Sequence, residues 1–402
     1  MTSASAPSAQ ESVAQVAEPR TKGGAARWTG LDALRGIAIG SMILVNNPGE
    51  WGKVYAPLLH AKWHGCTFTD LVFPTFLFCA GASIVPALQS SLDRGRSRSE
   101  LAARAFRRCV SLVLLGLFVA SFPVLTFEDG KGLFDRVWNV RIPGVLQRIG
   151  VCYFAAALAF LFCSLRGQRA LLIACLVGYW PLLALTHTPD GGAPDLATEG
   201  DHLAGFLDRA VFGSHTWMGK VYDPEGLLST IPAIGTALLG MECGRVLASP
   251  RPREDAVRSL LLLGASWMAI GAVWGWFFPI NKALWTSSYS MWTAGIAASG
   301  LGLCVHAFEV KGWSRLAHPL LVYGRNALLV FVGSAVLART LGRLWVVDEG
   351  PPVVFAQKWI YANAFQSWLE PHMASLGFAL AWVACWYVVL AVLYRRGIIW
   401  RV

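Results

Sequence analysis

Apolar residues in this chain come in long runs, and the polar residues gather between them. Ten runs reach the roughly 17 to 25 residues that carry a helix across a hydrocarbon core of about 30 Å. They lie near 32–48, 71–90, 109–126, 143–165, 170–187, 228–248, 259–279, 285–307, 319–338 and 374–394. Most connections are short, so the pattern predicts an all-α polytopic membrane protein, a single bundle of about ten transmembrane helices. Two connections are long, about 188–227 and about 339–373, the second containing "DEGPP". Long loops in a compact bundle serve as lids or binding surfaces. GxxxG spacings at Gly36 with Gly40 and Gly271 with Gly275 predict close helix packing. No internal repeat of the kind that marks many transporters is visible.

Composition agrees, since 55% hydrophobic residues against 14% charged ones is too apolar for a soluble globule. Charge sets the orientation, because cytoplasmic loops carry the excess of Lys and Arg. Counted alternately, one side collects 21 of the 34 basic residues and the other 11, with Arg148 and Arg325 inside spans. Both termini are therefore expected in the cytoplasm. The net charge of +10 is spread over every cytoplasmic loop beside apolar spans, which suits anionic lipid headgroups and not nucleic acid. Residues 1–27 are rich in Ala and Ser with no apolar core of a signal peptide, so they read as a disordered cytoplasmic tail ahead of a transmembrane domain over 28–402. Eight of nine cysteines lie in or at the edges of spans, Cys66 being the exception, and neither a disulfide framework nor a CxxC metal pair is readable.

Polar groups in hydrocarbon are costly unless paired, so those at span edges are where chemistry is expected. In "LDALRG", Asp32 and Arg35 lie three apart and share a helical face; they form either a local ion pair or a cytoplasmic mouth for an anion such as phosphate. In "VNNPGEW", Asn46 and Asn47 end a helix that Pro48 and Gly49 break, offering either exposed ligand-binding groups or turn chemistry. The stretch "HAKWHGCTFTDLVFPTFLF" brings His60, Trp63, His64 and Asp70 to the outer mouth of the second run. His60 could move a proton near neutral pH with Asp70 fixing its tautomer. If that loop is helical, His60 and His64 share a face, but no further ligand completes a metal site. Gln147 and Arg148 fall early in the fourth span, where Arg148 must pair or face a wet cavity. Asn281, Lys282 and Trp285 in "PINKALWTSSY" offer donors and an aromatic face suited to a sugar, and Arg325 and Asn326 in "YGRNALLVF" either hold a ligand or cap and bridge helices.

Six blocks in order, "LDALRG", "VNNPGEW", "HAKWHGCTFTDLVFPTFLF", "PGVLQRIG", "LLSTIPAIGTALLG" and "PINKALWTSSY", resemble the transmembrane acetyltransferases related to the lysosomal heparan-α-glucosaminide N-acetyltransferase, and its bacterial, amino-sugar-linked members more closely. The likeness runs from about residue 28 to the end. It implies a bundle in a bacterial inner membrane that takes acetyl from cytoplasmic acetyl-CoA and gives it to the amine of glucosamine or a related amino sugar on the periplasmic side. The family's essential histidine falls on His60, and its active-site asparagine on Asn46. Against the lysosomal enzyme, the resemblance carries two expected departures, a missing large lumenal domain with its extra first span and a longer loop between Asn46 and His60, so a small acceptor is expected in place of a polymer end.

On that resemblance, Arg35, Gln147, Arg148, Arg325 and Asn326 are the expected coenzyme A contacts, Trp63, His64, Asn281, Lys282 and Trp285 the expected acceptor contacts, and His60, Asn46 and Asp70 the expected catalytic group, with no metal. Direct transfer to the amine and an acetyl-histidine relay both remain open, and a homodimer is one expectation for assembly. The alternative is an amino-sugar transporter in which His60 and Asp70 relay a proton.

Overall fold

In the computed structural model, residues 28–125, 132–348, 350 and 353–400 are described; the expected tail at 1–27 lies outside them. The chain runs through α1 (Thr29–Asn46), α2 (Phe68–Ala82), α3 (Ile84–Asp93), α4 (Arg98–Ser121), α5 (Asp135–Trp138), α6 (Val145–Phe162), α7 (Leu165–Ile173), α8 (Tyr179–Ala184), α9 (Leu203–Phe212), α10 (Thr230–Ala248), α11 (Arg253–Trp274), α12 (Ser287–Val305), α13 (Ser314–Arg325) and α14 (Ala327–Arg343). A two-stranded antiparallel hairpin, β1 (Val346–Asp348) with β2 (Val354–Phe355), then leads to α15 (Ala356–Tyr361) and α16 (Pro371–Arg395).

Among the described residues, seven segments are long and apolar enough to cross a membrane: 68–93, 145–162, 165–184, 230–248, 253–274, 287–310 and 371–395. The pair α13 and α14, bent by 67° at Asn326, makes an eighth if it is one span. The pattern of apolar runs predicts ten, and the two remaining runs correspond to α1 and α4, which fall short for a physical reason. The first half of α4 carries Arg98, Glu100, Arg104, Arg107 and Arg108. Asp32 and Arg35 dilute α1, which is enclosed by α2, α12, α13, α14 and α16 and so faces protein. By contrast the apolar windows of α11 and α16 are only 33% and 22% buried, and turn side chains such as Leu262, Ile270, Leu380 and Val388 outward, as a lipid-facing helix requires.

Close packing rests on glycine at selected crossings. A Cβ on Gly36 would strike the Leu320 carbonyl, and one on Gly324 the Asp32 carbonyl, so α1 and α13 approach backbone to backbone. Gly40 faces open space, so the expected Gly36–Gly40 pair works through one member. Likewise Gly271 abuts Trp292 and Ser288 of α12, whereas Gly275 meets mainly its own turn and Ile280.

Candidate functional site

Two cavities meet along α1. The outer one, about 340 Å³, is walled by Met42, Val45 and Asn46 of α1, by the segment around His60, by the start of α2, and by Lys282 of the connection before α12. Its remaining walls are Arg141 and Val145, before and at the start of α6, and the long connection between α8 and α10, which supplies Glu199, Trp217, Lys220, Tyr222 and Glu225. The inner cavity, about 330 Å³, is walled by Arg35, Ile39 and Met42 of α1, by Arg108, and by Arg325 at the α13–α14 break. Met42 and Val145 line both, so the cavities abut at these two side chains. Arg35 and Asn46 are eleven positions apart on one helix, about 16 Å of rise.

The outer cavity is organised by one carboxylate. Thr67 and Asp70 form the capping box that starts α2. Oδ2 of Asp70 accepts from the Ala61 N–H, the Thr67 N–H and the Thr67 hydroxyl, each at 3.0 Å. Oδ1 is left for His60, whose Nδ1 stands 2.7 Å away. With the carboxylate accepting, Nδ1 carries the proton and Nε2 keeps its lone pair. Asp70 is 1% exposed and the His60 side chain 53%, so a buried anchor presents an accessible base. Nζ of Lys282 lies 3.0 and 3.2 Å from the two ring nitrogens and 3.6 Å from Asp70. Burial pulls the Lys282 ammonium below the usual lysine value, with Asp70 opposing the shift.

Charges of both signs line the rest of this cavity. Arg141 forms ion pairs with Asp223 and Glu225. Burial works to raise the Glu225 carboxyl, but Arg141, Arg148 and Lys282 together outweigh it and hold the group below its usual range. Glu199 pairs with Lys220 at 2.9 Å. Trp63 donates its indole N–H to the Leu196 carbonyl at 2.7 Å, stacks on His202 and meets Tyr222 edge-on. Asn46, the last residue of α1, is exposed on this wall, whereas Asn47 is buried and bonds the Ile43 carbonyl and Ser334.

The inner cavity is different. The ionisable side chains lining it are Arg35, Arg108 and Arg325. Arg35 pairs with Asp32 at 2.8 Å and reaches Ser83 at 2.6 Å. The guanidiniums of Arg108 and Arg325 lie 4.3 and 4.6 Å from the ring centroids of Tyr153 and Tyr394. Stacking on a ring face leaves the N–H edge of a guanidinium for an anion.

Of the residues expected at the site, His60, Asn46, Asp70, Trp63 and Lys282 share the outer cavity, and Arg35 and Arg325 the inner one. Of the others, Trp285, Asn281, Arg148 and Asn326 are buried in packing, while His64 is exposed and Gln147 half-buried outside both cavities. Trp285 is fully buried, bonded to Thr236 and edge-on to Phe73 and Tyr289, so it has no face for a sugar. Asn281 is equally buried, accepting from Leu284 N–H and lying 3.3 Å from His64 Nδ1. The segment holding His60 and His64 is not helical, so they share no helix face. Arg148 lies behind the outer wall, 2% exposed, bonded to the Gly226 carbonyl and Ser229. Gln147 donates to the Ile142 carbonyl. Asn326 spans the helix break to bond the Ile398 carbonyl and Trp400 N–H. Sequence reasoning missed Arg108, Arg141 and Glu225. For Arg108 a usable signal exists, its place at the apolar edge of the run near 109–126.

Comparison with known proteins bears on what the paired cavities do. Residues 27–271 match the family model described as heparan-alpha-glucosaminide N-acetyltransferase, catalytic. The chain belongs to this family. It is 30% identical to heparan-alpha-glucosaminide N-acetyltransferase of Homo sapiens over 94% of its own length, and 30% identical to that of Mus musculus over 96%. It spans about 60% of the length of these relatives. The family match contains both the His60–Asp70 pair and the inner Arg35 and Arg108, while Lys282 and Arg325 lie beyond it.

Proposed function

We propose that this family member takes acetyl from cytoplasmic acetyl-CoA and delivers it to the amine of glucosamine or a related amino sugar on the periplasmic side of a bacterial inner membrane. In this reading α1 and α4 also cross, giving ten crossings with both termini cytoplasmic and one transmembrane acyltransferase domain over 28–402. The observation that carries it is the meeting, at Met42 and Val145, of a cavity holding an accessible base with one lined by three arginines.

The three guanidiniums suit the phosphates of coenzyme A, which they can bind through charge-assisted hydrogen bonds. The thin pantetheine arm then passes between Met42 and Val145 to bring the thioester to His60. An ammonium cannot attack a carbonyl, so the amine must lose a proton, and His60 Nε2 accepts it. The amine nitrogen bonds to the acetyl carbon, the C–S bond breaks, and coenzyme A leaves as its thiol, its sulfur taking up the second proton that the nitrogen sheds as the amide forms. Asp70 holds the imidazole in the accepting tautomer and stabilises the imidazolium that forms. Asn46, on the same wall, can donate to the developing oxyanion.

Proteoliposomes loaded with acetyl-CoA and given external glucosamine are expected to accumulate external N-acetylglucosamine. Uptake of unmodified sugar with no use of acetyl-CoA would replace this reading with transport.

A further inference from the structure

Lys282 was expected to hold the acceptor, yet its ammonium is spent on the base. Nζ lies at nearly equal distances from Nδ1 and Nε2 of His60, 3.0 and 3.2 Å. A point so placed is out of line with both the Nε2 lone pair and the Nδ1–H bond, because each of these points outward from its nitrogen in the ring plane. The contact is therefore mainly electrostatic. Asp70, at 3.6 Å, holds the ammonium there, and the Lys282 side chain is only 18% exposed, which keeps screening by water modest.

From this geometry we infer that Lys282 is a positioning residue for the proposed acetyl transfer, a fixed cation that keeps His60 in its unprotonated, proton-accepting form. The argument is one of sign. Asp70 is required to orient the imidazole, but a carboxylate at 2.7 Å also favours the imidazolium, and an imidazolium cannot take a proton from the amine. A cation beside the same ring opposes that bias while leaving the Nδ1–Asp70 hydrogen bond in place. The other charges facing this space are largely paired off: Arg141 with Glu225, and Lys220 with Glu199, leaving exposed Lys62 on the rim. Burial pushes the Cys66 thiol up to about 12 and raises the Tyr222 phenol, so both are neutral near pH 7. Lys282 is thus the cation in direct contact with the ring.

The inference rests on the proposed function for its meaning but can be read without it. Diethyl pyrocarbonate modifies only the unprotonated imidazole, and His60 is accessible to it. Its modification rate, followed peptide by peptide by mass spectrometry, gives the protonation curve of His60 in folded protein whether or not any acetyl moves. In Lys282→Gln the midpoint is expected to move to higher pH, as for loss of a cation within 4 Å of the ring, so that modification on the acid limb of the curve slows several-fold. Lys282→Arg should keep the wild-type midpoint. The acid limb of kcat/KM for acetylation should move with the chemical curve in Gln and stay in Arg. Coincident curves for wild type and Lys282→Gln overturn the inference, even if turnover falls. Absence of acetyl transfer by the wild type, with the midpoint shifted as expected, removes the proposed function and leaves the electrostatic pairing standing.

Discussion

The outer and inner cavities have nearly the same volume and share two wall residues, yet they are built from opposite materials. The outer one mixes acids, bases and aromatic rings, with most charges paired: His60 with Asp70, Arg141 with Glu225, Lys220 with Glu199. The ionisable groups lining the inner one are all arginines, two of them lying over tyrosine rings and one paired with Asp32. A paired, mixed wall suits a small polar molecule whose proton must be managed. A cationic, partly apolar wall suits an anion with a thin uncharged tail. The division of labour therefore follows from charge arrangement, and each side can be broken without the other.

The largest effect should come from the outer side. His60→Ala removes the base and is expected to lower turnover about 100-fold or more, while acetyl-CoA binding, measured by calorimetry, and thermal stability stay near wild type. The histidine side chain is 53% exposed, which is why folding should survive. Near-normal acetylation by the purified variant would remove His60 from the mechanism.

The sequence made this half of the comparison partly readable. Apolar run lengths placed the helices, and Asp32–Arg35 and His60–Asp70 were visible as neighbours because local spacing decides them: one pair sits on a helical turn, the other across a capping box. What escaped was long-range. Arg141 reaches Asp223 and Glu225 some eighty residues away, and no local pattern announces such a pair. The converse error has the same origin. Asn281, Trp285, Arg148 and Asn326 looked like ligand contacts because polar groups at span edges are costly, but each meets that cost by bonding a distant or broken stretch of backbone, or a buried hydroxyl.

The inner side should respond in affinity. Arg108→Ala or Arg325→Ala removes a charge-assisted contact worth roughly 1.5 kcal/mol or more, so KM for acetyl-CoA should rise about tenfold while kcat and the acceptor KM change little. Both effects should shrink as salt is raised, since part of the attraction is screened. Steady-state kinetics with each substrate varied in turn checks this. An acceptor KM that rises with the acetyl-CoA KM would merge the two cavities into one functional site and end the comparison.

The smallest effect separates the two sides by pH. His202 is fully buried behind Trp63, and burial lowers it to about 4 from an ordinary 6.5. The unfolded segment therefore binds a proton that the folded one refuses, and its stability is full above about pH 6.5 and lost progressively as pH falls toward 4. The whole span of the shift corresponds to about 3 kcal/mol, and the part felt at pH 5 to about 2 kcal/mol. The structural cause is specific: Nδ1 accepts from Gly205 N–H at 3.0 Å and caps α9, and an imidazolium has no lone pair with which to do so. Because α9 belongs to the connection that walls only the outer cavity, acidification should loosen amides around 196–226 in hydrogen exchange while those of α13 and α14 beside the inner cavity keep their protection. His202→Gln, which can still accept at a cap and does not titrate, should abolish the pH dependence of that opening. Equal loosening around both cavities would mean that the outer wall and the inner arginines unfold as one unit.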